Sequence, residues 1–225
     1  MSSAGKPGNG DCHHPSISAN GRYVAFESKA TNLVKGARGW NVFVRDLKKH
    51  KTKLASLSSA GKKANAASHN PSISGDGRYV AFESKATNLV KGDTNKSYDI
   101  FRRDLVKHKT VRVSVSSSGK QANGDSRYAS ISNHGGFIAF YSRATNLVKG
   151  DTNHKVDVFF RNERSGKTVR VSLSSSGKQA NGGSHNPPSI SADGRFVAFA
   201  SQASNLVPGD TNDRWDVFLR GPLHG

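Results

Sequence analysis

Four evenly spaced positions carry side chains able to hold an ion: His13, His69, Arg127 and His185. Each is followed by a second polar or aromatic residue, His14, Asn70, Tyr128 and Asn186. Imidazoles brought together can ligate a transition metal, and partly protonated imidazoles beside a guanidinium can hold an anion. Arg127 argues against the metal and is compatible with the anion. A plainer reading is a His-Asn turn that bonds its own backbone ahead of a strand. A second set is acidic: Asp93, Asn95 and Asp99 recur as Asp151, Asn153 and Asp157, and again as Asp210, Asn212 and Asp216. That spacing offers hard oxygen ligands on a tight loop, which makes calcium the one candidate cofactor. The sixth-position Gly and the terminal Glu of a full calcium loop are missing, and Asx-turns account for the same residues without metal.

Both sets are regular because the chain repeats itself. Segments 2–57, 58–115, 116–173 and 174–225 align almost without gaps, with a period of 58 residues where nothing is deleted. SSSGKQANG at Ser116 and Ser174 returns as SSAGKKANA at Ser58 and SSAGKPGNG at Ser2. The first copy is two residues shorter before its third strand, reading TNLVKGARGWN where later copies read TNLVKGDTN. Within a unit the apolar period is two: PSIS, a GDG turn, RYVAFES, DIFRRDL after a polar loop, and TVRVSVS, read as a half-exposed outer strand. No segment has helical periodicity. A four-stranded meander cannot bury both faces alone, so radial stacking predicts an all-β chain, a β-propeller of four blades forming a single domain over 1–225. The last unit ends at WDVFLRGPLHG and lacks an outer strand. Three arrangements satisfy this pattern: a closed ring with a three-stranded last blade, an excerpt of a longer array, or a ring completed by a second copy.

The run NPSISGDGRYVAFES at Asn70, followed by DIFRRDL and KTVRVSVS, resembles the WD40-like, TolB-type (PD40) propeller repeat. Its Ser-x-Asp-Gly-Arg turn stands at 74–78 and 191–195, becomes SANGR with Asn20 in the first copy, and departs further as SNHGG in the third. The resemblance covers essentially the whole chain. It implies the propeller fold and a bacterial envelope or secreted setting, but the same blade serves binding modules, scaffolds and enzyme accessory domains.

Composition narrows the function. Lys and Arg number 34 against 16 Asp and Glu, a net charge of +18, and lysines recur in the connecting loops of every unit. Such columns suit an acidic polymer or protein, bound in a salt-dependent way, or serve only to solubilise the repeat. Specific nucleic-acid binding is not expected, since the aromatic columns (Tyr23, Tyr79, Phe137, Phe196; Phe26, Phe82, Phe140, Phe199; Phe43, Phe101, Phe159, Phe218) are assigned to packing between blades. Arg45, Arg103, Arg161 and Arg220 form a strand column that pairs such as Arg45-Asp46 and Arg103-Asp104 would make structural. No nucleophile elbow, phosphate loop or zinc-protease motif is present, and the lone Cys12 lies beside His13 on a segment whose neighbouring side chains point apart. Glu27 and Glu83 share a column that Tyr141 and Ala200 occupy elsewhere, so nothing selects them for acid–base work. No apolar run is long enough to span a membrane. The expectation is a non-catalytic binding or scaffold module for an anionic glycan, envelope polymer or acidic protein. A self-assembling structural propeller is the alternative, and a hydrolase or lyase the third.

Overall fold

The computed structural model describes residues 1–223. Fifteen strands form four antiparallel sheets, each a simple meander. Blade 1 holds β1 (Cys12–Ile17), β2 (Tyr23–Ser28), β3 (Asn41–Asp46) and β4 (Lys51–Leu54). Blade 2 holds β5 (Ser68–Ile73), β6 (Tyr79–Ser84), β7 (Asp99–Asp104) and β8 (Lys109–Arg112). Blade 3 holds β9 (Ser126–Ile131), β10 (Phe137–Ser142), β11 (Asp157–Asn162) and β12 (Lys167–Arg170), and blade 4 holds β13 (Ser189–Ile190), β14 (Val197–Ser201) and β15 (Asp216–Arg220). The all-β propeller of four blades, with three strands in the last, is therefore as expected.

Period-two alternation gives every blade two apolar faces. Ala25, Val42 and Val44 of blade 1 pack on Ile73, Val80, Phe82 and Phe101 of blade 2. The same columns join blade 2 to blade 3 and blade 3 to blade 4. Phe82 and Phe101 stack at 5.9 Å between centroids, and Phe140 and Phe159 at 6.0 Å, all fully buried. The third aromatic column works differently: Tyr23 lies over Gly77, Tyr79 over Gly135 and Phe137 over Gly194. A Cβ there would sit within 2.3 Å of the ring, and each glycine has a positive φ, so the turn requires glycine twice over.

The outer strands differ from the sequence reading. In TVRVSVS only the first residues belong to β8, and Val113 and Ser114 are buried rather than half exposed. Their amides both turn onto the Ile100 carbonyl, which pulls the chain out of the ladder. The arginine column is also reassigned. Adjacent strand residues point to opposite faces, so Arg45 and Arg103 do not pair with Asp46 and Asp104. Arg103 instead donates to the Ser58 carbonyl at 2.8 Å and Thr110 Oγ1 at 3.0 Å, and Arg45 does the same to Ser2 and Thr52. Asp46 and Asp104 pair with Arg22 and Arg78, which immediately precede β2 and β6. In blade 4 the first strand shrinks to two residues, because Pro187 and Pro188 have no amide to give to the sheet.

Candidate functional site at the propeller mouth

The strands nearest the axis begin earlier than the sequence suggests, so His13, His69 and Arg127 lie within β1, β5 and β9. His13 pairs with Glu27, His69 with Glu83 and Arg127 with Tyr141 across each ladder, and the register then slips. The slip occurs at His14, Asn70 and Tyr128, which all adopt the left-handed conformation with φ of 49° to 52°. Each is a bulge residue rather than a turn that closes on itself. The Asn70 amide donates to Glu27 Oε2 of the preceding blade at 2.6 Å, and the Tyr128 amide to Glu83 Oε2 at 2.8 Å. Such a bond from the rigid neighbour holds a strained backbone in place.

The bulges separate the two predicted residue columns. His14, Asn70 and Tyr128, with Pro15, Pro71, Ala129 and Pro187, line an open axial cavity of about 250 Å³. Pro187 takes the fourth place because the extra proline displaces Asn186, which is exposed. The other column faces the rim. There the structure adds residues that the sequence reading missed: Trp40, Tyr98 and Trp215 immediately precede β3, β7 and β15. The His13 and Trp40 rings are 5.4 Å apart, Trp40 and His69 5.6 Å, and His69 and Tyr98 6.5 Å. The Arg127 guanidinium covers Tyr98 at 3.7 Å from its centroid. Lys29 and Lys85 stand over Trp40 and Tyr98 at 5.0 and 5.5 Å. The result is a continuous half-ring of imidazole, indole, phenol and guanidinium groups, His13, Trp40, His69, Tyr98, Arg127. Val156 interrupts it in blade 3, and His185 with Trp215 at 5.9 Å resumes it in blade 4.

Main-chain bonds fix this rim. The Trp40 carbonyl accepts the Ser68 amide of the next blade at 3.0 Å, and the Tyr98 carbonyl accepts that of Ser126 at 2.7 Å. Beneath it the two glutamates titrate oppositely. Burial raises the Glu27 carboxyl, but hydrogen bonds from His69, the Asn70 amide and His14 outweigh it and leave the group below its ordinary value. For Glu83 burial wins over the Tyr128 amide and the Arg127 charge, and its carboxyl is raised. His185 is lowered, by burial first and by Arg143 second. Trp40 stands between His13 and His69, and among the described residues no three His, Cys, Asp or Glu side chains gather as metal ligands would.

The acidic column has other partners. Asp99 and Asp157 are fully buried. Arg112 lies 3.5 Å from Asp93 and 3.7 Å from Asp99, and Arg170 lies 3.2 Å from Asp151 and 3.6 Å from Asp157. Asn95 and Asn153 each donate to the buried aspartate at 3.0 Å, while their Oδ1 atoms accept a loop amide two residues on. These are Asx-turns wrapped round a guanidinium. Blade 1 has Leu54 in place of the arginine and no aspartate at the loop position, so acid and base vary together. Blade 4 keeps Asn212 donating to Asp216 at 2.9 Å, and among the described residues no arginine pairs with Asp210 or Asp216.

No protein-family model matches the chain, and no curated protein sequence does. Solved structures do. TolB from Acinetobacter baumannii superposes with a TM-score of 0.55 at 16% identity, over 95% of this chain and 41% of TolB. A prolyl endopeptidase gives 0.56 at 15% identity, over 96% and 28% respectively. The β-propeller domain of the Trilobed protease from Pyrococcus furiosus gives 0.53 at 12%, over 93% and 54%. The chain thus spans well under two thirds of each of these proteins. At such identities the likeness shows the fold alone, a β-propeller. Among the described residues no helix is long and apolar enough to cross a membrane.

Proposed function

We propose that this chain is a non-catalytic binding module whose propeller mouth takes an anionic polysaccharide. The observation that carries the reading is the rim itself. Sugar rings present C–H faces that stack on Trp and Tyr, while their carboxylates or sulfates need cations at similar spacing. Trp40 and Tyr98 supply the first, and Lys29, Lys85 and Arg127 the second, with Lys29 also pairing with Asp11 at 2.9 Å and Arg127 with Glu83 at 3.2 Å. The net charge of +18 would raise the rate of encounter with any acidic polymer. Two features support binding over catalysis. Glu27 and Glu83, two carboxylates beneath the mouth, are each committed to a backbone amide of the next blade. The sequence also carries no nucleophile elbow or zinc-protease motif. The TolB-like fold adds support for an envelope or secreted setting.

The test is calorimetric titration with polygalacturonate and heparin, using neutral dextran as control. Both acidic polymers should bind, and binding should weaken steeply as salt is raised. Lys29→Ala with Lys85→Ala should flatten the salt dependence, and Tyr98→Ala should cost about tenfold in affinity. Equal binding of dextran, or wild-type affinity in both variants, would refute the reading.

A further inference from the structure

Three times within the chain, one blade's trailing face meets the next blade's leading face through the same columns. Trailing Val42 and Val158 are 0% exposed, and Val44 and Phe160 are 5% and 3%. Their counterparts in blade 4, Val217 and Leu219, are 79% and 70% exposed. The leading face shows the matching difference. Ile73 and Ile131 are 5% and 8% exposed against the preceding blade, whereas Ile17 of blade 1 is 62% exposed. Gly77, Gly135 and Gly194 each lie under an aromatic ring of the preceding blade, but Gly21 has open space above it. Ser16, Ser72 and Ser130 each accept the amide of Ile73, Ile131 or Ile190 in the next blade. The fourth serine of this column, Ser189, is exposed. Among the described residues no hydrogen bond joins blade 4 to blade 1, and no apolar cluster contains residues of both.

We propose that a second copy of this chain docks head to tail, laying the leading face of its blade 1 on the trailing face of blade 4. The occupant is argued from continuity with an interface already built three times: the chain carries both halves of that contact, and both are uncovered. Val217 and Leu219 would pack against Ile17 and Val24 of the second copy, as Val42 and Val44 pack against Ile73 and Val80. Phe196 would cover the second copy's Gly21, as Phe137 covers Gly194. Ser189 would accept the Ile17 amide. Such an interface is heterologous, so every contact consumes one face of each kind, and assembly either closes into a ring or runs on. The proposal stands independently of any glycan at the mouth.

Sedimentation and light scattering of the 225-residue chain test it. The expected mass exceeds the monomer's 24.1 kDa and rises with concentration up to roughly 100 µM. Val217→Lys with Leu219→Lys spoils the trailing face alone, and Ile17→Lys the leading face alone. All three side chains are exposed, so both variants should melt as the wild type does while running as monomers. Mixed in equal amounts, they should form a 1:1 dimer and nothing larger, because each still offers the face the other lacks. A monomeric wild type, variants that assemble alone, or a mixture that stays monomeric would each overturn the proposal.

Discussion

Two polar columns recur around this propeller, and they have opposite fates. In the outer loops Asp93, Asp99 and Arg112 close on one another, and the two side chains at the centre of the cluster are at most 7% exposed. At the mouth, His69 and Arg127 lie half exposed against aromatic rings, and His13 and His185 are exposed. Both columns have carboxylate partners, Arg127 with Glu83 at 3.2 Å and Asp125 at 3.6 Å, and the difference is one of exposure. A buried charge must be paired and hydrogen-bonded to be tolerated, so a column that goes inside has to satisfy itself. A column left at a rigid rim can pair with a carboxylate and still present its outer side to solvent.

The largest effect expected from breaking this contrast is Arg112→Ala. It strands Asp93 and the fully buried Asp99, and should cost about 3 to 5 kcal/mol of stability in urea melts. Lys85→Ala at the rim should stay within about 0.5 kcal/mol of wild type in the same melts. Next in size is Glu83→Ala, which leaves the Tyr128 amide without its acceptor and should lose about 1 to 3 kcal/mol.

A smaller effect is the dependence on pH. Asp99 is pushed up to about 6, chiefly by burial, despite its bonds to Ser114, Arg112 and Asn95. Its folded value lies above the ordinary 3.8, so the folded protein holds this proton longer than the unfolded chain. Its contribution is then full below about 3.8 and lost as pH rises through about 6. Asp104 runs the other way. Burial opposes its charge, but the Arg78 and loop-amide bonds hold it down at about 2, so its contribution is full above 3.8 and lost as pH falls through about 2. Urea midpoints of Asp99→Asn relative to wild type should therefore rise between pH 4 and pH 6. The smallest expected effect is that of calcium. With Arg112 and Arg170 already between the carboxylates, the melting temperature should be the same in calcium and in EDTA. A shift that Asp210→Ala abolishes would instead place a cation in blade 4, where among the described residues Asp210 and Asp216 have no arginine paired with them.

Much of this was legible in the sequence because repetition turns weak signals into columns. Four copies of RYVAFES and its variants gave strand, face and packing partner together. What stayed hidden depended on register or on a neighbouring blade. Trp40 was obscured by the two-residue deletion in blade 1, and its column reads Trp, Tyr, Val, Trp only once strands are aligned on Asn41, Asp99, Asp157 and Asp216. Glu27 looked unselected because its partner, the Asn70 amide, lies 43 residues away in the next blade. Arg103 looked like half of a pair with Asp104, yet strand alternation sends the two side chains to opposite faces.

The central claim concerns the rim, and the protein carries its own reporter there. Its only two tryptophans, Trp40 and Trp215, both belong to the aromatic column. The most direct measurement is tryptophan emission during titration with polygalacturonate at low and at high salt. The account predicts a saturable change that weakens as salt rises and is reduced in Trp40→Phe. Binding seen by calorimetry with no change in emission, or a change that Lys29→Ala and Lys85→Ala together leave intact, would contradict it.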